Sequence, residues 1–505
     1  MTTWHLHLIH NNKRFDLNKT NAFLSFLFLY LLAIAPCVVS SKSIAEPTQH
    51  LPKLGDSISS IISPEQEHQL GRAWLRSLRG QAPLINDPLL NTYITDLAYQ
   101  IASESELEKP DLEVVMINSK AINAFAAPGG ILGVNAGLIL HAETEDELAA
   151  VLAHEMAHLS QRHFARNLEM AKRNQWTTWA ALLASVALVA SGSPDSGLAT
   201  LATSQAAAMQ SQLRFSRQNE READRIGMQT LANLQRDPSA MPRFFSRMYK
   251  ATQFYGEVPP EFLLTHPVTE SRISDSMNRA TQLPNKTAKQ RLNFALMKAR
   301  LQASFSEDKF SNVTYFKNRH QESSSKIAQQ AARYGWARAH QKLHQYPEAL
   351  KALQPLIDKD PSNIIYAITN SEILMAKGEY KEARSHLLKL SELHPNNFPL
   401  SIYIAQISLR MEDGATAKKI LESLLLTHQD NVQVWRLLSE AQGLTGNIIG
   451  VHEARAEVFF LYSREDQAIK QLNYALNLVE DNFPLKSRLQ HRLKEINAQK
   501  QLQFL

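Results

Sequence analysis

The residues from His154 to His158 read H-E-M-A-H, which combines the residue types and the spacing of a metal site that activates water. Side chains four residues apart lie on the same face of an α-helix, so both imidazoles can reach one metal ion. Glu155 projects beside them, where its carboxylate can take a proton from metal-bound water. Zinc suits such a site because imidazole and carboxylate groups bind it well. We therefore expect one Zn²⁺ per chain, held in part by His154 and His158.

The residues around this motif favour a buried helix. Thr144 and Glu147 form the T-x-x-E pattern of a capping box, and the acidic first turn suits the positive end of a helix dipole. Apolar residues then recur at helical spacing, at Leu148, Val151, Leu152 and Leu159. Charged groups on a largely buried helix need a reason. This favours a metal site over the alternative, an exposed helix that carries two histidines and a glutamate by chance.

A third metal ligand is expected from the acidic sequence N-E-R-E-A-D at residues 219–224. Two histidines leave a zinc site short of its usual three protein ligands, and a carboxylate from another helix can supply the third. Glu220 and Asp224 are four residues apart and share a helical face. A further acidic group can accept the spare N–H of a ligand histidine and fix its orientation. Spacing alone does not choose Glu220 over Glu222 as the ligand.

The composition indicates a globular chain with more than one domain. A length of 505 residues is too great for one core. Residues 1–45 contain four basic side chains and one acidic one, so +3 of the formal net charge of +5 lies there. The remaining chain is close to neutral and has no basic stripe interleaved with aromatic residues. We therefore expect no nucleic-acid partner.

Residues 1–45 are predicted to be a cleavable secretory signal peptide. Basic residues at positions 13, 14 and 19 precede an apolar stretch at 22–35, and Ser43-Ile44-Ala45 offers a cleavage site. The basic region is long, which leaves an uncleaved anchor as the alternative. Cys37 is the only cysteine, so cleavage after Ala45 would leave no disulfide to stabilise the exported protein.

Short apolar runs between the helices predict a small β-ribbon. Residues 114–117 form one predicted strand, and Pro128-Gly129-Gly130 is predicted to turn the chain between extended segments at 122–126 and 131–134. We expect this ribbon beside the metal helix, where its edge can pair with an extended peptide. Residues 176–209 are rich in alanine and other apolar residues. They are interpreted as a helical hairpin packed on the catalytic domain, with peripheral contact to a membrane or to substrate as the alternative.

A period of 34 residues is visible in the C-terminal half. It relates identical residues in one register, at Tyr346 and Tyr380; Ala349, Ala383 and Ala417; Pro361 and Pro395; and Asn363, Asn397 and Asn431, and it relates the small residues Ala337, Ser371 and Ala405. Thirty-four residues is the length of the tetratricopeptide repeat (TPR). We predict an α-helical TPR solenoid over residues 331–505, whose concave face binds partners. Residues 301–330, polar and loop-like in places, are the predicted linker.

Taken in order, the motifs resemble those of the M48 metallopeptidases. H-E-x-x-H at 154–158 precedes E-x-x-A-D at 220–224, and further matches are S-P-E-Q-E at 63–67, N-A-F-A at 123–126, and T-H-P at 265–267 with Arg272. The resemblance covers roughly residues 60–280. It implies a zincin-like metallopeptidase domain, assigned to residues 46–300, in which Glu220 is the third zinc ligand and Asp224 supports the site. It also implies that His266, on a loop over the active site, can act as a regulatory fourth zinc ligand.

With the signal peptide and the repeats, the resemblance implies a zinc endopeptidase of the periplasm. Glu155 is expected to act first as general base and then as general acid. The expected substrates are unfolded or misassembled outer-membrane β-barrel proteins. The enzyme is also expected to assist their assembly, with its TPR domain binding the outer-membrane protein assembly machinery. The overall fold is expected to be mainly α with a small β-sheet.

Three alternatives remain on the sequence alone. One is a TPR chaperone or scaffold whose peptidase domain is inactive, and the intact H-E-x-x-H motif argues against it. Another is a metal-dependent hydrolase that acts on bonds other than peptide bonds. The third is an adaptor that acts only through its repeats and needs no metal. Serine and cysteine mechanisms have little support, because there is no G-x-S-x-G motif and Cys37 lies in the predicted signal peptide.

Overall fold

We describe the protein from a computed structural model, which covers residues 62–108, 110–170, 217–255, 260–284, 290–305 and 308–502. All of these residues belong to one structural unit that spans residues 57–505. The predicted signal peptide and the whole of the apolar segment at 176–209 lie outside the described residues. Among the residues described, no helix is both long enough and apolar enough to cross a bilayer.

The described part of the N-terminal half combines helices with one small sheet. Its helices are Pro64–Gln81 (α1), Pro88–Ser103 (α2), Ala136–His141 (α3), Glu145–Ser160 (α4), His163–Met170 (α5), Arg217–Asn233 (α6), Ala240–Tyr255 (α7), Glu261–Thr265 (α8) and Glu270–Gln282 (α9). Its strands are Glu113–Ile117 (β1), Ala124–Ala127 (β2) and Ile131–Asn135 (β3). The expectation of a mainly helical fold with a small sheet is confirmed.

The sheet has the strand order β1-β3-β2. Strands β1 and β3 are parallel, and β2 and β3 are antiparallel. The predicted turn is confirmed: Gly129 and Gly130 both have a φ of 77°, a conformation that glycine adopts without steric cost. Strand β2 is an edge strand of this sheet and contacts helix α4. An edge strand exposes backbone groups with which an extended peptide can pair.

Helix α4 is buried from its first turn through His158. Thr144 caps it, since its hydroxyl oxygen accepts from the N–H of Glu147 at 3.2 Å. The predicted capping box is incomplete, because the Glu147 carboxylate accepts from the N–H of Glu143 at 2.7 Å and pairs with Arg247. The buried acidic turn is thus compensated by an arginine from a neighbouring helix as well as by the helix dipole.

The repeat half consists of antiparallel helix pairs. Its helices are Leu292–Phe305 (α10), Lys309–Glu322 (α11), Lys326–Lys342 (α12), Tyr346–Lys359 (α13), Ile364–Lys377 (α14), Tyr380–Leu393 (α15), Phe398–Arg410 (α16), Gly414–Leu425 (α17), Val432–Leu444 (α18), Ile448–Leu461 (α19), Glu465–Asn477 (α20) and Phe483–Leu502 (α21). The structure explains why residues recur every 34 positions. Asn363, Asn397 and Asn431, which we call the asparagine column, are the N-caps of α14, α16 and α18. The repeated small residues at positions 337, 371 and 405 and at 349, 383 and 417 are fully buried where helices cross.

The predicted linker at 301–330 contains helical structure. Helix α11 occupies its centre, and Asp308 caps that helix by accepting from two backbone N–H groups. Phe316 on α11 is buried against Gly335 of α12, where any side chain on residue 335 would collide with its ring. The polar composition that suggested a loop belongs to the exposed face of an amphipathic helix.

A buried ion cluster joins the two halves. Arg300 on α10 lies 2.6 Å from Asp87, the N-cap of α2, and 2.6 Å from Glu372 on α14. Arg338 lies 2.5 Å from Glu372, and the Tyr403 hydroxyl donates to the same carboxylate at 2.6 Å. Burial by itself raises the pKa of Glu372, but the two guanidinium groups outweigh it and hold that pKa at about 2. We call Asp87, Arg300, Arg338 and Glu372 the interdomain cluster.

Candidate metal centre

Four side chains converge with atoms that bind metals. Ligand atoms of His154, His158, Glu220 and His266 all lie within 4.8 Å of one another, and all four residues are buried. The Nε2 atoms of His154 and His158 are 3.1 Å apart, and each lies 3.5 Å from an oxygen of Glu220. Three separate elements therefore supply this group: α4, α6 and the residue that ends α8.

Asp224 and Arg272 hold two of these side chains, His154 and Glu220, in position. The Oδ1 atom of Asp224 lies 2.9 Å from Nδ1 of His154, so the opposite ring nitrogen faces the cluster. Arg272 on α9 lies 2.7 Å from Asp224 and 2.7 Å from Oε2 of Glu220. Burial lowers the pKa of His154, but the carboxylates of Asp224 and Glu220 outweigh it and raise that pKa to about 9. Asp224 is thus placed to orient a ligand histidine.

The carboxylate of Glu220 remains ionised although it is buried. Burial raises its pKa, but His266, His154 and Arg272 together hold the pKa well below the usual range. Among the described residues, Glu155 has no cationic partner as close as Arg272 is to Glu220, and burial raises the pKa of Glu155. The two glutamates are therefore electrostatically distinct, which suits one to hold a cation and the other to exchange a proton.

His266 lies inside the cluster. Its Nδ1 atom is 3.1 Å from Glu220 and its Nε2 atom is 3.4 Å from Glu155. The backbone N–H of Phe262 donates to the carbonyl of Ile122 at 3.0 Å, which ties α8 to the segment before β2. Arg272 also donates to the carbonyl of Pro267 at 2.9 Å. The loop that carries His266 is thus held by hydrogen bonds on both sides of that residue.

A further histidine, His163, contacts the ring of His158. Nδ1 of His163 is 2.8 Å from Nδ1 of His158, and Nε2 of His163 is 3.2 Å from Glu222. Residues five apart do not share a helical face, but Arg162 has a φ of 48°, which ends α4 and turns the chain. Arg162 is held by Glu67, at 2.9 Å. Sequence reasoning missed this contact. Its only signal was a third histidine shortly after the motif.

The residues present fit a zinc ion. The donor set of two imidazoles and one carboxylate, with a third imidazole beside it, is the set that catalytic zinc sites use. The facing Nε2 atoms of His154 and His158 can both offer lone pairs to one ion when the proton of each ring lies on Nδ1. The six residues singled out from the sequence, His154, Glu155, His158, Glu220, Asp224 and His266, all lie in or against this group.

Comparison with known proteins assigns the chain to a family. The model of peptidase family M48 matches residues 88–280. A beta-barrel assembly-enhancing protease of Escherichia coli K12 is 35% identical over 452 residues, which cover 90% of this chain and 92% of that protein. The chain belongs to peptidase family M48. A putative beta-barrel assembly-enhancing protease of Vibrio cholerae is 34% identical to this M48 peptidase, over 94% of this chain and 97% of its own length.

The other matches agree with this assignment. A mitochondrial metalloendopeptidase of Schizosaccharomyces pombe is 32% identical over 181 residues, 36% of this chain and 50% of that protein. A model of the tetratricopeptide repeat matches residues 374–441 of this M48 peptidase. The protein is thus a zinc metalloendopeptidase of family M48 with C-terminal TPR helices, as the sequence predicted.

Proposed function

We propose that this M48 peptidase cleaves peptide bonds at a zinc ion held by His154, His158 and Glu220. The observation that carries the proposal is the convergence of their buried ligand atoms within 4.8 Å. Glu222, which spacing left as a rival to Glu220, has its carboxylate on His163 and Arg166. The bound ion supplies Lewis-acid chemistry, polarising the scissile carbonyl and acidifying water.

Glu155 is assigned the proton transfers. Its carboxyl group takes a proton from the attacking water and then gives it to the leaving amine. Burial raises the pKa of Glu155 above its ordinary value, which makes this carboxylate a better proton acceptor than an exposed glutamate. Asp224 and Arg272 hold His154 and Glu220 in place during this cycle, through contacts of 2.7 to 2.9 Å.

The edge of β2 is the proposed binding site for an extended substrate. The strand contacts α4, which carries the metal-binding histidines and Glu155. Backbone hydrogen bonds to a strand edge bind a peptide largely independently of its sequence. An unfolded chain satisfies this requirement, whereas a folded domain has no free extended segment to offer. We infer that unfolded or misassembled proteins are the substrates.

The physiological setting follows from the relatives. Two of them are named for enhancing β-barrel assembly. We infer that this protein works in the periplasm after export by its signal peptide, degrades misassembled outer-membrane β-barrel proteins, and assists their assembly. The TPR domain is proposed to bind the outer-membrane protein assembly machinery, since stacked repeats offer an extended binding surface.

His266 is proposed to regulate the zinc site as a latch. Its ring lies within 3.4 Å of both Glu220 and Glu155, where a fourth zinc ligand would exclude the catalytic water. Contacts from Ile122 and Arg272 hold its loop closed. Binding of a substrate or partner would then shift the population towards an open loop.

The test of the peptidase is Glu155→Gln in the full-length protein. Cleavage of casein should fall at least about a hundredfold, because general acid and base catalysis are lost together. Zinc content should stay at one per chain, because Glu155 is not a ligand. Glu143→Gln, an exposed carboxylate ahead of the same helix, is the matched control and should cut normally. Parental cleavage by the Glu155 variant would overturn the assignment.

A further inference from the structure

We propose that His163 and Glu222 form a hydrogen-bonded relay that positions the imidazole of His158 for zinc. The inference rests on the proposed zinc site and assigns roles to two side chains outside the ligand set. His163 is fully buried, and Glu222 is partly exposed at the end of the chain of contacts. Both are positioning residues, since they act on the metal only through His158.

The distances fix one arrangement of protons. His158 must keep the lone pair of Nε2 for the metal, so its proton lies on Nδ1. That proton points to Nδ1 of His163 at 2.8 Å, which must then accept it. The proton of His163 consequently lies on Nε2 and is donated to Oε2 of Glu222 at 3.2 Å. Each hydrogen bond thus determines the tautomer of the next ring, starting from the carboxylate.

The surrounding fold supports this direction. Arg166 donates to the same oxygen of Glu222 at 3.1 Å, which keeps the carboxylate ionised and an acceptor only. The guanidinium of Arg166 also donates to the carbonyl of Gln161 at 2.9 Å, at the C-cap of α4. The turn at Arg162 therefore places His163, Arg166 and the end of the metal helix in one hydrogen-bonded group with α6.

The two ligand histidines of α4 are thereby supported in different ways. Asp224 contacts His154 directly at 2.9 Å, as carboxylates commonly do behind metal-binding histidines. His158 reaches its carboxylate only through an inserted imidazole. The relay accounts for three features that the zinc ligands leave unexplained: the buried His163, the left-handed backbone of Arg162 and the pairing of Glu222 with Arg166.

Zinc affinity of the full-length protein tests the relay, measured by competition with a chromogenic chelator. His163→Leu removes the acceptor and should weaken zinc binding about ten- to a hundredfold, the usual effect of losing such a partner. His163→Asn keeps an oxygen near the position of Nδ1 and should recover most of the parental affinity. A role in packing alone would lower the unfolding midpoint of the chelator-treated protein in both variants and leave both zinc affinities at the parental value.

Glu222 provides a second test that does not disturb the core. Glu222→Ala removes the last acceptor and should weaken zinc binding roughly tenfold, whereas Glu222→Gln can still accept from His163 and should stay close to the parental affinity. This pair decides the question if His163→Leu does not fold. The relay is overturned if Glu222→Ala binds zinc like the parent, or if His163→Asn is no better than a folded His163→Leu. A parental protein that bound no zinc would overturn the zinc site as well.

Discussion

The metal centre and the interdomain cluster both bury charged side chains, but they satisfy them in opposite ways. In the interdomain cluster, Arg300 and Arg338 face Glu372 and Asp87 at 2.5 to 2.6 Å, so each charge has a partner of opposite sign. In the metal centre, the Nε2 atoms of His154 and His158 face each other at 3.1 Å, and neither ring carries a fixed charge to balance the other. Charges that are paired within the chain need no further partner, whereas converging ligand atoms indicate a site for a cation.

This difference predicts which property of the protein each cluster affects. The interdomain cluster should contribute to stability without affecting catalysis, because its partners are complete within the chain. The metal centre should contribute little stability until a metal binds, since binding to the native state alone stabilises it. Variants of the two clusters should therefore change different measurements.

The largest expected effect is that of Glu372→Gln. The free energy of unfolding should fall by about 3–5 kcal/mol, because Arg300, which is 1% exposed, would lose the charge of its main partner. Zinc affinity should not change. Chemical denaturation with the chelator present checks the first point. Glu379→Gln in the surface pair with Lys377 is the control, and should cost less than about 1 kcal/mol. Equal losses from the two variants would contradict the distinction.

The pH dependence of stability should follow the same carboxylate. Because the pKa of Glu372 is about 2 in the folded protein, against 4.5 ordinarily, its contribution is present above pH 4.5. It is lost as the pH falls from about 4.5 towards 2, and amounts to about 3 kcal/mol. Unfolding midpoints measured at pH 6 and pH 3 should fall more steeply in the parent than in Glu372→Gln. Parallel curves would show that Glu372 does not titrate in this way.

Glu220→Gln should give the opposite profile. Zinc binding should weaken by more than about a hundredfold, the upper range for changes behind a ligand. The metal-free protein should lose less stability than Glu372→Gln does, because Arg272 keeps Asp224 as a partner at 2.7 Å. Chelator competition and denaturation in the same buffer separate the two quantities. If Glu222→Gln weakened zinc binding more than Glu220→Gln, the assigned carboxylate would be wrong.

His266→Ala should have the smallest effect, and that effect should be an increase in the rate of cleavage. If about nine-tenths of molecules are latched, removing the ring should raise the initial rate on casein roughly tenfold. Zinc should be retained, because three protein ligands remain. The matched control is His141→Ala, because the ring of His141 contacts the carbonyl of Gly137 in its own helix and lies outside the metal cluster. An unchanged or lower rate at full zinc content would remove the latch.

Several features of the repeat half were predictable because they depend on local rules. The asparagine column at 363, 397 and 431 caps three helices through hydrogen bonds to backbone groups two or three residues away. The alanine column at 349, 383 and 417 is buried because only small residues let paired helices approach. The linker was harder to predict, because the polar face of α11 conceals a helix that Phe316 anchors to Gly335.

Within the metal centre, the two histidines four residues apart, the glutamate beside them and the later acidic helix were all predictable from the chain. These depend on the 3.6-residue repeat of a helix and on ligand chemistry, which are properties of short segments. The contact of Glu222 with His163, and that of Arg300 with Glu372 across 72 residues, could not be predicted and are known from the folded protein. Such contacts depend on a single left-handed residue at 162 and on the packing of distant helices, which no local pattern encodes.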